Sequence, residues 1–350
     1  MALLFMDGFD SYGTSIASAP SPSGILARKY SGAPSNGAMT VRAGRLDGYC
    51  LRFYNGDFNT DGLRPAALTT NATLVVGVAV KFGSILDNSR FVRFVDGANV
   101  GVQLLLRADG ELSVYNVRTS TQLGITSGLG LLSNTWYYVE IKVVAGASGS
   151  FDVHVAGVSV LSASGVDTSA TVGHDYNATF ALTNPNYSAL TTDFDDLYCV
   201  DGSGSVNNDL LGNMRVVTLR PDGAGITTEF TPDSGSNYAR VNEAICGDDT
   251  NYVEDSTAGH KDLYVYDALN GISVGIKGVM VCTDCRETDA SPFSLKTVCK
   301  SGTTEDADAG QAISSTTFVT KRRVLETNPD TTAAWTYDGV DAAQFGVQVA

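Results

Sequence analysis

Trp136-Tyr-Tyr-Val-Glu-Ile-Lys-Val-Val144 decides the fold class. Tyr137, Val139, Ile141 and Val143 fall on one side while Glu140 and Lys142 fall on the other. That two-residue period belongs to a strand with one face packed and one turned to solvent. Thr73-Leu-Val-Val-Gly-Val-Ala-Val-Lys-Phe82 is apolar almost throughout, as in a central strand covered on both sides. Further strand candidates surround these two, at 3–10, 49–54, 91–95, 100–107, 112–116, 151–155 and 194–200. Asp96-Gly97, Asp109-Gly110 and the glycines between 146 and 149 supply the turns.

After Asp201-Gly-Ser-Gly-Ser205, a polar glycine-rich joint, strand candidates resume at 213–220, 264–266, 273–282, 293–300, 317–326 and 345–349. Pro221-Asp-Gly223 and 287–292 read as turns, and 340–344 as one helical turn. A chain of 350 residues with 37 Gly, 15 Tyr, 14 Phe and 17% charged residues suits two cores built from short strands. The expectation is an all-β protein of two consecutive β-sandwich domains, 1–201 and 202–350.

With 38 acidic against 23 basic side chains, the net charge of −15 repels nucleic-acid backbones and anionic lipid. Neither nucleic acid nor membrane is expected as a partner. No stretch reaches the roughly 18 apolar residues of a membrane span, and the opening Met1-Ala-Leu-Leu-Phe-Met6 lacks the basic flank and length of a signal peptide. Synthesis in a cytoplasm without export is the corresponding expectation.

Three segments resemble the concanavalin A-like jelly-roll superfamily of laminin G domains, legume lectins and glucanases. They are Arg93-Phe-Val-Asp-Gly97 through Arg107-Ala-Asp-Gly-Glu-Leu-Ser-Val114, then Asn134-Thr-Trp-Tyr-Tyr-Val-Glu-Ile141 with Phe151-Asp-Val-His-Val-Ala-Gly157, and Phe194-Asp-Asp-Leu-Tyr-Cys-Val200. The resemblance implies that the closing strand pairs with the first, setting 4–9 beside 194–200. Most of the chain is also similar to a family of structural proteins of tailed bacteriophages. Asp7-Gly-Phe-Asp10, Asn207-Asn-Asp209 with Gly212 and Arg215-Val216, Asn237-Tyr-Ala239 with Val241-Asn-Glu243, Asp249-Thr-Asn-Tyr-Val253, and Trp335-Thr336 leading to Phe345-Gly-Val347 carry that likeness. It implies a non-catalytic virion component: a capsid decoration or head fibre, a neck or collar protein, or part of a tail fibre. Its partners would be other virion proteins and further copies of itself, in a particle assembled in a bacterial cytoplasm. The alternative, from a different class, is a carbohydrate-binding module that recognises a surface glycan of the host envelope. Exposed aromatic residues would separate the two, with Tyr12, Tyr54, Tyr115 and Tyr176 as candidates.

Catalysis was sought as a pair of carboxylates flanking a glycosidic bond. The nearest candidate, Asp193-Phe-Asp-Asp196, lacks glutamate, and the chain is expected to be no enzyme. His154, His174 and His260 stand at no recognisable triad spacing. No cofactor is expected other than calcium, for which Asp7, Asp10, Asp193, Asp195 and Asp196 would supply the oxygen ligands, with 57–61 a further acidic loop. The plain alternative is that acidic loops solvate an acidic protein. Among six cysteines, Cys246, Cys282, Cys285 and Cys299 crowd into the second half and are disulfide candidates once outside a reducing cytoplasm. Zinc is disfavoured, because Cys282 and Cys285 point to opposite faces of a continuing strand. Arg215, Arg220 and Lys321-Arg-Arg323 form the main basic cluster, suited to an acidic neighbour.

Overall fold

The computed structural model describes residues 2–12, 22–32, 39–54, 62–65, 68–184, 190–245, 249–270, 275–289 and 293–350. The protein is all-β, with two compact units, Met1–Val216 and Val217–Ala350. Its first unit contains β1 (Leu3–Asp7), α1 (Pro22–Lys29), β2 (Tyr30–Gly32), β3 (Met39–Ala43), β4 (Tyr49–Tyr54), β5 (Arg64–Pro65), β6 (Thr73–Phe82), β7 (Ser89–Asp96), β8 (Asn99–Leu106), β9 (Leu112–Asn116), β10 (Thr121–Ile125), β11 (Trp136–Val144), β12 (Gly149–Val155), β13 (Val158–Val166), β14 (Thr179–Leu182) and β15 (Thr191–Asp201). The second contains β16 (Pro221–Thr228), β17 (Thr231–Pro232), β18 (Val253–Glu254), β19 (Lys261–Tyr266), β20 (Val279–Cys285), β21 (Phe293–Ser301), β22 (Thr304–Ala307), β23 (Gln311–Ile313), β24 (Val319–Leu325), α2 (Tyr337–Asp341) and β25 (Gln344–Val349).

Two antiparallel sheets make the jelly roll of the first unit. The larger runs β13-β12-β11-β6-β15-β4-β3, with β1 also on β15, and the smaller runs β10-β9-β8-β7-β14. Val76, Val78 and Val80 of β6, Val139 and Ile141 of β11, and Leu51 and Phe53 of β4 fill the inner face of the larger sheet. Val102, Leu104 and Val114 answer them from the smaller sheet. Phe82 meets Phe91 edge-on across the layers, ring centroids 5.1 Å apart. The expected terminal pairing is present: Leu3 lies opposite Val200, Phe5 opposite Cys199 and Asp7 opposite Leu197.

β15 changes partner along its length. Thr191 to Phe194 pair with β4 and Leu197 to Val200 with β1, and the ladder to β6 slips between Asp195 and Tyr198. Asp196, at the slip, takes a left-handed φ of 51°. A bulge of this kind re-aims side chains, and here it sets two adjacent carboxylates in the middle of the sheet.

In the second unit a six-stranded sheet, β16-β19-β25-β21-β22 with β23 also on β21, forms one layer, and the β20-β24 ribbon forms the other. Val281 and Leu325 from the ribbon share a core with Cys299, Trp335 and Phe345, and Trp335 Nε1 donates to the Leu325 carbonyl at 2.9 Å. The sequence misled at one segment here. Residues 213–220 alternate like a strand but join no sheet among the described residues, whereas the Pro221 turn opens β16. The joint expected at 201–205 lies inside the first unit, because 209–216 stays fastened to that unit's larger sheet.

Candidate functional site

Register across the larger sheet assembles one polar row on its outer face. Trp136 of β11 lies opposite Lys81 of β6, Lys81 opposite Asp193 of β15, Asp193 opposite Arg52 of β4, and Arg52 opposite Thr40 of β3. Lys81, Asp193, Arg52 and Thr40 each alternate with buried neighbours, and the register sets Trp136 on the same face, so all five point away from the core. Arg52 grips Asp193 with both arms of its guanidinium, Nε to Oδ1 at 2.5 Å and Nη2 to Oδ2 at 2.9 Å, and Lys81 Nζ reaches Asp193 Oδ2 at 3.0 Å. The Asp193 bond raises the Arg52 pKa above its ordinary value. Lys81 Nζ also stands 4.7 Å from the centre of the half-buried Trp136 ring, a cation–π contact that holds the indole in place. Tyr54, half-exposed, continues the same face beyond Arg52.

One row further along, the face becomes buried. Tyr138, Ala79 and Asp195 succeed Trp136, Lys81 and Asp193 on their strands, followed by Glu140, Gly77 and Tyr198. Tyr138 and Tyr198 stack with centroids 6.5 Å apart, Tyr198 donates to Glu140 Oε1, and Arg45 lies over the Tyr138 ring. A Cβ on Gly77 would stand 2.1 Å from the Tyr198 ring, so only glycine lets that ring lie on the sheet. Asp195 accepts from the Arg45 amide at 2.7 Å and the Asp196 amide at 2.8 Å. Burial, and then the neighbouring Asp196 charge, push its carboxyl up to about 8. Asp196 is raised for the first of these reasons.

Residues 209–216 cover this second half. The Leu211 amide donates to Tyr198 Oη at 3.0 Å, the Gly212 amide to Glu140 Oε1 at 2.8 Å, and the Val216 amide to Asp196 Oδ1 at 2.8 Å. Asp209 pairs with Lys142 at 2.9 Å, and Arg215 pairs with Asp47. Glu140, expected to face solvent, is therefore only 1% exposed. Its Oε2 and Arg45 Nη1 are buried with no hydrogen-bond partner, each costing about 1–3 kcal/mol.

The five aspartates proposed from sequence serve separate ends. Asp7 accepts from the Phe9 amide, Tyr12 Oη and Tyr30 Oη and pairs with Lys29, Asp10 holds the Tyr49 amide at 2.7 Å, and Asp193, Asp195 and Asp196 are placed as above. Among the described residues no group of three or more His, Cys, Asp or Glu is arranged to hold a metal ion; residues 57–61 lie outside them. Of the four cysteines put forward for disulfides, Cys282, Cys285 and Cys299 are not bridged to one another within this chain. Cys282 and Cys285 point to opposite sides of β20, and Cys299 is enclosed in the core. Burial raises the Cys285 and Cys299 thiols to about 12, and Cys246 lies outside the described residues.

The remaining candidates are occupied locally. Each histidine bonds an aspartate: His154 to Asp152, His174 to Asp96 and His260 to Asp255. Of the basic cluster, Arg215 pairs with Asp47 and Arg323 with Asp306, while Arg220 accounts for its amide at Asp267. Tyr12 is buried on Asp7, and Tyr176 stacks on His174 at 4.8 Å. Sequence reading overlooked Arg52, Lys81, Arg45, Tyr138 and Tyr198. The outward phase of Trp136, Tyr138, Glu140 and Lys142 was the available signal.

No family model matches the chain, and no curated protein matches it. Among solved structures it is similar to the cellulose-induced protein Cip1, at 13% identity and a TM-score of 0.41, covering 56% of this chain and 96% of that one. An endo-β-1,4-glucuronan lyase from the fungus Trichoderma reesei matches at 10% identity and a TM-score of 0.34, over 48% and 89%. The carbohydrate recognition domain of Emp46p in its metal-free form matches at 8% and 0.35, over 56% and 98%. At such identities the likeness concerns the fold alone. The second and third are by name a lyase and a carbohydrate recognition domain, and nothing in the comparisons points to a virion family. That finding overturns the reading as a non-catalytic virion part, together with its capsid, collar and tail-fibre roles.

Proposed function

We propose that the first unit recognises an acidic polysaccharide on the outer face of its larger sheet. One observation carries the reading: the cross-strand row in which Trp136 is followed by Lys81, Asp193 and Arg52. A half-exposed indole offers an apolar platform for the C–H face of a sugar ring, and the fixed polar groups beside it supply orientation. Arg52 and Lys81, with exposed Arg42 one row on, gather positive charge on a chain whose net charge is −15. A carboxylate-bearing sugar is the ligand that such a local excess favours, because guanidinium and ammonium bond it with charge assistance.

The test is calorimetric titration of the full chain with oligouronates and with neutral oligosaccharides of equal length. Preference for the uronates is expected, with a loss of about tenfold or more in affinity for Trp136→Ala and for Arg52→Gln. Equal binding of both sugars, or unchanged affinity in the two variants, would refute the assignment. Unsaturated uronate ends appearing in the same mixtures would show that the face also cleaves by elimination, with Arg52 and Lys81 neutralising the substrate's carboxylate.

A further inference from the structure

We propose that residues 209–216 are a displaceable cover, and that the polar groups beneath them form a cryptic second half of the glycan face; this rests on the reading just given. The two halves are continuous. Tyr138, Ala79 and Asp195 stand two residues along their strands from Trp136, Lys81 and Asp193, a step of about 7 Å. A sugar chain running along the strands from the exposed row would therefore meet the cover next.

The cover's attachment suits removal. None of its residues is buried, so it contributes no core side chain. It is held by the amides of Leu211, Gly212 and Val216, by Arg45 Nη2 on Asn213 Oδ1 at 2.8 Å, and by two ion pairs at its ends. The acidic partners of those pairs, Asp209 and Asp47, are 61% and 71% exposed, and ion pairs so placed hold little.

What lies beneath is only partly satisfied by the cover. Glu140 is 1% exposed, yet its Oε2 has no partner, and neither has Arg45 Nη1. A sugar hydroxyl donates and accepts at once, so one such group could serve an acceptor like Glu140 Oε2 and others a donor like Arg45 Nη1. The stacked Tyr138 and Tyr198 rings add an aromatic surface. With Glu140, Asp195 and Asp196 gathered here, the sugar units bound under the cover would turn hydroxyls toward the sheet, and the carboxylates of the units outside it would lie over Arg52 and Lys81. Binding would then exchange the amide bonds of the cover for hydroxyl bonds, as a cryptic site opens when a ligand favours a minor conformation.

Amide hydrogen exchange on the full chain, read by mass spectrometry, tests this in two arms. Without sugar, amides 211–216 should exchange about a hundredfold faster than those of Val76 to Val80 in β6, through local opening. Exchange as slow as in β6 would overturn the cover whether or not any glycan binds. With long oligouronates, 79–82, 136–138 and 191–195 should become protected while 209–216 loses protection; short ones should protect the first group alone. Protection of the row with an unchanged cover would refute this proposal and leave the glycan reading standing, whereas no protection anywhere would refute the glycan reading, the first arm still deciding the cover. Asp209→Ala with Arg215→Ala should quicken exchange at 211–216 and raise affinity for long oligouronates about fivefold without changing affinity for short ones. A merely structural role would lower the melting temperature and leave that length dependence unmoved.

Discussion

Asp195→Asn should remove a fall in the stability of the first unit with rising pH. The carboxyl is 4% exposed, accepts two backbone amides and adjoins Asp196; it titrates at about 8 rather than at the 3.8 of an ordinary aspartate. Below the lower value both folded and unfolded chains hold the proton, and the group costs nothing. Between the two, folding must take up a proton, so stability falls as pH rises; above about 8 the full penalty is present and constant. At about 1.4 kcal/mol for each pH step between those values, the ceiling is roughly 6 kcal/mol. Asparagine removes the charge but turns an amide N–H toward one of the two backbone donors, at about 1–3 kcal/mol. The variant should be less stable than the parent by that amount near pH 4 and more stable by about 3–5 kcal/mol near pH 9, so the two curves cross. The chain has two tryptophans, Trp136 and Trp335, one in each unit. Urea unfolding followed by fluorescence in a Trp335→Phe background therefore reports the first unit. Parallel stability curves for parent and variant from pH 4 to 9 would refute the reasoning.

Three other outcomes follow from the packing. Gly77→Ala should cost about 1–3 kcal/mol by pushing the Tyr198 ring off the sheet, and the same substitution should cost little in a Tyr198→Ala background, a coupling that a double-mutant cycle measures. Asp262 is fully buried and accepts from the Glu229 and Phe230 amides, Asn237 Nδ2 and Tyr264 Oη; Asp262→Ala strands the Phe230 amide and Tyr264 Oη, while the Glu229 amide and Asn237 Nδ2 keep the Lys261 and Phe230 carbonyls, and should destabilise the second unit by about 2–4 kcal/mol, read from Trp335 fluorescence in urea. Iodoacetamide should modify exposed Cys282 well before buried Cys299 in the native protein, and denaturation without reductant should make all five described cysteines reactive, any blocked one counting against the thiol assignment.

Local pattern carried much of this fold and little of the site. The alternation in 136–144 and the apolar run in 73–82 are properties of single strands, and both strands form where they were read. β13 escaped notice because Val-Ser-Val-Leu-Ser-Ala-Ser-Gly-Val has no aromatic anchor; its pairing with β12 makes it a strand. The opposite error, at 213–220, has the same cause: alternation permits a strand but cannot supply a neighbour, and the Val216 amide finds a carboxylate instead. The row from Trp136 to Thr40 draws on residues 40, 52, 81, 136 and 193, so it exists only once five strands take their register. The surroundings of Asp195 were equally invisible, since its carboxyl is met by the amide of Arg45, 150 residues earlier in the chain.

Strand register also explains why two aspartates two residues apart on one sheet face behave so differently. β6 sets Lys81 against Asp193 and Ala79 against Asp195, while Arg52 of β4 reaches only the former. Asp193 is thus bracketed by two cations at the open end of the face. Asp195, lacking a cation opposite and pressed beside Asp196 by the bulge, is the group whose proton is retained. The alternation of Gly77, Ala79 and Lys81 along β6 divides the face accordingly: glycine seats a ring, alanine leaves a carboxyl uncompensated, and lysine charges the row. On the glycan reading we propose, ligand carboxylates belong at the Lys81 end by local charge and hydroxyls at the Gly77 end.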